Sequence, residues 1–334
     1  MQTQTLDGSS PRFDGLSTGG SQFAGMNPVS HEPDAWFTLS DGNRLCYDEL
    51  GDRSGFPILY FHNTGSSRLE GAFFDRDARK SGFRLIAVDR PGIGGSDFKA
   101  HHDARNFCAD LIELMDSLGI ERVGLMSFAA GGTYALTLAH YYPDRVRFSV
   151  SLAGIPLVAD DSQPCSYAVS CMRRALPPLI RVFIRLRHTF SATTASDYLE
   201  RLRDTLCYTD RKTLADPRVI NLLEADLAES RRQGFQGVAR DTSLCLKPLG
   251  FDIATLRLPV HIWQGSADHL SSRSNCEYLA TTIPDSLYFR VPNRGHFFFL
   301  QGMEEVFGRL RPVLANPVPQ NSSRRASRLV RVAA

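Results

Sequence analysis

At 334 residues, with 43% hydrophobic and 22% charged residues and a formal net charge of +2, the chain can bury a core of its own and has no charge excess with which to hold nucleic acid. No stretch approaches the roughly 18 uninterrupted apolar residues that cross a bilayer, so a small-molecule partner is expected, without stable membrane insertion, and a homo-oligomer stays open. The seven cysteines (Cys46, Cys108, Cys165, Cys171, Cys207, Cys245 and Cys276) form no Cys-x-x-Cys pair, which argues against a disulfide framework or zinc knuckle and for reduced thiols in a cytoplasmic protein.

In chain order, residues 1–34 read as a disordered leader, because their Gly, Ser, Thr and Gln content fills no core and no basic start precedes an apolar stretch. From residue 35, short apolar runs alternate with longer helical patterns: AWFTL, RLCYDEL, ILYFH, RLIAVD, RVGLMSF and FSVSLAG, then, after a gap, PVHIWQG and LYFRVP. That rhythm predicts a largely parallel sheet covered by helices. Residues 103–119 predict a crossover helix, with Phe107, Leu111, Leu114 and Leu118 on one face and Gly119 ending it.

The gap at 158–250 contains no convincing strand and reads as a helical insertion over the sheet. Within it, PPLIRVFIRLRHTF places Arg181 and Arg185 one turn apart beside an apolar face. The expected form is a cap helix with its arginines in water rather than a membrane-surface helix. Residues 316–334 read as a basic flexible tail, in which Ser327 of RRAS resembles a short basophilic kinase site. The core is therefore expected over 35–157 and 251–315.

Four separated motifs, YFHNTGSSRLE (60–70), AVDRPGIGGSD (87–97), SFAAGG (127–132) and the pair GSAD (265–268) with GH (295–296), are similar in order and spacing to those of the α/β-hydrolase superfamily. The resemblance covers roughly residues 35–315. It implies an α/β class and the α/β-hydrolase fold: a mostly parallel eight-stranded sheet flanked by helices, with a helical cap insertion.

It also implies roles. The family's G-x-S-x-G nucleophile elbow is a strained strand-to-helix turn, and the next amide completes an oxyanion hole. Superposed on SFAAG, the nucleophile position falls on Ala129 and the amide on Ala130, while the other half of the hole falls at Thr64, after His62 and Asn63. Asn63 replaces the glycine that normally allows close backbone approach. Shifting the register to make Ser127 the nucleophile would leave it on the strand rather than on the turn. Asp268 and His296 match the family's carboxylate and histidine, whereas Arg90, Pro91, Gly92 and Asp97 are expected to shape a turn.

Without a hydroxyl at residue 129 no acyl-enzyme ester can form, yet a histidine oriented by a carboxylate remains a general base. Three readings follow. The first is an enzyme in which a His296–Asp268 dyad acts as general acid/base on a small carbonyl-bearing molecule, of lyase, cyclase, isomerase or cofactor-free oxygenase type. The second is a serine ester or amide hydrolase whose nucleophile is replaced by Ala. The third is a non-catalytic small-ligand binding protein. No metal cluster, phosphate loop, flavin or nicotinamide motif is present in the sequence, so no cofactor is expected.

Overall fold

The computed structural model describes residues 35–154, 195–315 and 328–331. The leader, the stretch containing Arg181 and Arg185, and Ser327 lie outside the described residues. Each of the eight expected runs forms a strand: β1 (Ala35–Thr38), β2 (Arg44–Gly51), β3 (Phe56–Phe61), β4 (Phe83–Val88), β5 (Val123–Phe128), β6 (Val146–Leu152), β7 (Val260–Gly265) and β8 (Ser286–Val291). Four residues of the segment read as a flexible tail, Arg328–Arg331, add β9, which pairs parallel to β8 and covers backbone groups that an edge strand would leave unpaired.

The order is β1-β2-β4-β3-β5-β6-β7-β8-β9. Among the described residues only the β1–β2 and β2–β4 pairs are antiparallel. The remaining strands run parallel because helical crossovers return the chain to the same end of the sheet: α1 (Asp75–Ser81), α2 (Ala104–Ser117), α3 (Gly132–Tyr141) and, between β7 and β8, α8 (Arg273–Thr282). The stretch 195–245 contributes α4 (Ala195–Thr205), α5 (Tyr208–Thr213), α6 (Pro217–Ser230) and α7 (Phe235–Cys245), and two short helices, α9 (Met303–Gly308) and α10 (Arg311–Ala315), follow β8.

Strands covered on both faces lose the polar alternation of a half-exposed sheet, which is why β5 reads VGLMSF and is buried throughout. Successive β3 residues feed opposite faces: Leu59 and Phe61 pack with α2 and α3, and Ile58 and Tyr60 with Phe74 and Phe307. α2 begins in a capping box, with Asp103 Oδ1 accepting the Asn106 N–H at 2.8 Å and Asn106 Oδ1 accepting the Asp103 N–H at 3.1 Å. Its buried stripe, Phe107, Leu111 and Leu114, anchors it on the sheet.

The carboxyl ends of β3, β5, β7 and β8 lie along one edge, where open α/β sheets bind ligands. The segments leaving those ends carry YFHNTGSSRLE, SFAAGG, GSAD and GH, while AVDRPGIGGSD leaves the neighbouring β4.

Candidate active site

Ala129 sits on the turn between β5 and α3 with a φ of +44°, one of three described non-glycine residues in left-handed conformation. For a residue bearing a Cβ this costs about 1–2 kcal/mol, which the packing around the turn must offset. Gly131 makes the turn possible, since a Cβ there would run into the Phe61 carbonyl at the end of β3. Ser127 is the penultimate residue of β5, and its Oγ bonds the Val150 carbonyl of β6 at 3.3 Å. It is a sheet residue.

Asp268 and His296 come together although 28 residues separate them: His296 Nδ1 lies 3.0 Å from Asp268 Oδ2, and the Asp268 side chain has no solvent exposure. The loop after β7 builds the carboxylate site. Asp268 Oδ1 accepts the N–H groups of Leu270 at 2.9 Å and Ser271 at 3.0 Å, and Oδ2 accepts the Ser271 hydroxyl at 2.7 Å. Burial pushes the Asp268 carboxyl up, but His296 and these donors outweigh it and hold it below its ordinary value. Such a carboxylate keeps the proton of the neutral ring on Nδ1 and leaves Nε2 as the lone pair. Among the described residues nothing hydrogen-bonds Nε2.

Ser271, not singled out in the sequence, belongs to this group. Its Oγ lies 3.1 Å from His296 Nδ1 and 3.0 Å from the carbonyl of Ala153, a second residue with left-handed φ, at the end of β6. Phe128 and Phe297 flank the imidazole, with ring centroids 4.8 and 5.4 Å away. The next two rings, Phe298 and Phe299, are buried in the core.

Thr64 and Ala130 also converge. The Thr64 N–H and the Ala130 N–H both point to Asn63 Oδ1, at 2.8 and 3.3 Å. Asn63 itself does not take a left-handed backbone, so its replacement of glycine leaves the chain path intact. Its carbonyl accepts from Arg90 Nη2 at 3.1 Å, and Arg90 Nη1 holds the His62 carbonyl at 2.6 Å. Arg90, expected to shape a turn, is buried and also bonds Asp241 of α7 through Nε and Nη2, each at 2.7 Å. Burial beside that guanidinium pushes the His62 imidazole down to about 3, so it is neutral and structural.

Two further carboxylates from the 195–245 stretch reach these loops. Asp210 of α5 accepts the N–H groups of His296 at 2.7 Å and Phe297 at 3.1 Å, and thereby fixes the backbone that carries the imidazole. A Cβ at Gly295 would overlap the Asp210 carboxylate and Cys207 Sγ, which explains the glycine before the histidine. Asp226 of α6 bonds the Ser67 N–H at 2.8 Å and the Ser66 hydroxyl, which also lies 2.9 Å from Glu70 Oε1. One hydroxyl proton cannot serve two ionised carboxylates, and burial pushes both carboxyls up, that of Asp226 with help from the Glu70 charge, so the pair shares a proton across Ser66.

Among the described residues no cluster of His, Cys, Asp and Glu could hold a metal ion, and no helix is long and apolar enough to cross a membrane.

The chain belongs to the alpha/beta hydrolase fold family, which it matches over residues 57–303. It is 33% identical over 266 residues to the uncharacterized hydrolase YcgS of Bacillus subtilis, covering 78% of this chain and 90% of that protein. A non-heme chloroperoxidase of Streptomyces lividans is 29% identical over 167 residues, 49% of this chain and 56% of that protein, so the chain spans little more than half of that relative. Among solved structures, the enol-lactonase from Burkholderia xenovorans superposes with a TM-score of 0.65 at 16% identity, covering 84% of this chain and 100% of that one. At that identity it speaks for the fold alone.

Proposed function

We propose that this protein is an enzyme whose His296–Asp268 dyad moves a proton on a small carbonyl-bearing molecule without forming a covalent intermediate at the elbow. The single observation that carries this reading is the partnered imidazole, Nδ1 at 3.0 Å from a buried carboxylate and Nε2 unbonded, beside a turn whose residue 129 offers only a methyl group. His296 Nε2 takes the substrate proton, and the electron pair left behind moves onto the adjacent carbonyl oxygen. The imidazolium is stabilised by Asp268, which stays ionised. Thr64 and Ala130 donate N–H bonds to the developing oxyanion, and the imidazolium returns its proton to carbon or to a leaving group. The helices of 195–245 form part of a cap that excludes water and selects the substrate. The family's hydrolase members support an enzyme of this fold.

A serine hydrolase in which Ala stands at the nucleophile position is the second reading, favoured by the left-handed turn kept at Ala129. The two readings separate without knowledge of the native substrate. A base dyad exchanges α-protons of small ketones and 1,3-diketones for solvent deuterium, which proton NMR follows across a panel of such compounds. Exchange is expected on at least one compound in wild type and is lost by about 10²–10⁴-fold in His296→Ala. No exchange on any compound in wild type, together with fluorophosphonate labelling and ester hydrolysis that appear in Ala129→Ser, would overturn the proposal in favour of the second reading.

A further inference from the structure

The two amides read as the oxyanion hole already have an acceptor. Thr64 lies beyond β3 and Ala130 on the β5–α3 turn, yet their N–H groups share Asn63 Oδ1, at 2.8 and 3.3 Å. Two donors from separate elements meeting at one oxygen is the arrangement that a substrate oxyanion requires. The main chain of the occupant is clamped: the Asn63 N–H donates to Glu70 Oε2 at 2.8 Å, and the Asn63 carbonyl lies 3.1 Å from Arg90 Nη2 and 2.8 Å from His62 Nδ1. Only rotation of the Asn63 side chain can empty the hole. Because the backbone there is not left-handed, nothing in the chain path asks for glycine, and the residue's distinguishing feature is the amide it places between the donors.

We infer that Asn63 is a built-in, displaceable occupant of this hole and that it makes the site select an anionic oxygen, a carboxylate or an enolate, over the neutral carbonyl of an ester or ketone. The inference rests on the reading of Thr64 and Ala130 given under Proposed function. Binding at the hole is an exchange of acceptors. An amide oxygen is a strong neutral acceptor, so an ester or ketone oxygen that displaces it gains no hydrogen bond and leaves the Asn63 amide to find new partners. An anionic oxygen gains, since hydrogen bonds to a charged acceptor are roughly twice as strong as neutral ones. The substrates that fit either carry a carboxylate or become enolates once His296 removes a proton. A neutral ester that never develops charge at this position is shut out.

The test supplies its own nucleophile, so it does not depend on the native reaction. In an Ala129→Ser background, hydrolysis of p-nitrophenyl acetate is measured with Asn63, with Asn63→Ala and with Asn63→Asp. Removing the occupant is expected to raise kcat/KM by at least about 10-fold, and the charged aspartate, a tighter occupant, to lower it below the Asn63 level. Acetate is expected to inhibit the Ala129→Ser protein at least about 10-fold more strongly than the isosteric acetamide, with that ratio narrowing in Asn63→Ala. Equal rates across the three proteins, or an unchanged inhibition ratio, overturn the inference. A second readout is independent of turnover: in Asn63→Ala without the serine, the Thr64 and Ala130 amide protons lose their acceptor and shift upfield in NMR spectra, and unshifted resonances overturn the occupancy. Inactivity of every serine variant despite shifted amides instead overturns the reading of these amides as an oxyanion hole, and the selectivity falls with it.

Discussion

His296 can take a proton only while its other ring nitrogen is fixed as a donor, and two neighbours share that task unequally. Asp268 Oδ2 is an anionic acceptor at 3.0 Å with no solvent exposure, whereas Ser271 Oγ, at 3.1 Å, is neutral and also contacts Asp268 Oδ2 and the Ala153 carbonyl. Asp268→Asn removes the charge that stabilises the imidazolium and presents an amide able to favour the wrong tautomer. It is therefore expected to lower the dyad's exchange rate by up to about 10⁴-fold. Ser271→Ala leaves the carboxylate its charge and two backbone donors and is expected to cost on the order of 10-fold. Deuterium-exchange rates of the two variants check the order, and equal losses would show that orientation rather than charge sets the rate. Asp268 and His296 were legible in the sequence because each follows a strand end at a fixed offset. Ser271 was not, since one hydroxyl in HLSS carries no signal until the loop brings it beneath the imidazole. The side chain of Asn63 was likewise read for its backbone alone.

At the scale of elements, the helices of 195–245 are tied to the strand-end loops by buried charge. Arg68 meets Asp48 at 3.1 Å, Asp89 at 2.9 Å and Glu229 of α6 at 2.5 Å, while Arg90 meets Asp241 of α7 at 2.7 Å. The two sites respond differently to losing a carboxylate. Glu229→Gln leaves Arg68 the carboxylates of Asp48 and Asp89, but Asp241→Asn takes the charged partner from Arg90 and leaves one accepting oxygen where two now serve Arg90, Tyr134 and Thr64. Uncompensated burial of a guanidinium costs about 3–5 kcal/mol, so Asp241→Asn is expected to destabilise by that amount and Glu229→Gln by less. Asp97→Asn, at the Arg44–Asp97 pair on the surface, is expected to cost about 1 kcal/mol or less from the lost pairing. Urea unfolding of the three variants gives the ranking. The strands and α2 were readable because their apolar spacing is local. These ties were not: Arg90 and Asp241 lie 151 residues apart, and neither sequence neighbourhood differs from that of a solvated charge. Arg90 therefore read as a turn residue.

For the molecule as a whole, buried neutral histidines couple folding to pH. His261 stands on β7, between β6 and β8, with its Nδ1 buried and unpartnered among the described residues. Burial, helped by the charge of Arg309, pushes its imidazole down from 6.5 to about 4. Between those values the unfolded chain binds a proton that the folded chain refuses, so this histidine's contribution to stability falls as pH falls. From pH 7.5 to pH 5 the shift corresponds to about 2 kcal/mol. His62 acts with the same sign, and the carboxyls of Glu70 and Asp226, pushed up by burial, act with the opposite one. Total stability is therefore a poor readout, but the difference between wild type and His261→Phe isolates one group, because the others titrate in both proteins. The steric cost of the larger ring is the same at either pH and cancels. Urea unfolding is expected to show His261→Phe gaining about 2 kcal/mol on wild type at pH 5 relative to the same comparison at pH 7.5. An identical difference at both values would mean that His261 is protonated in the folded sheet, and the orphaned Nδ1 would then have to be a donor with an acceptor close by.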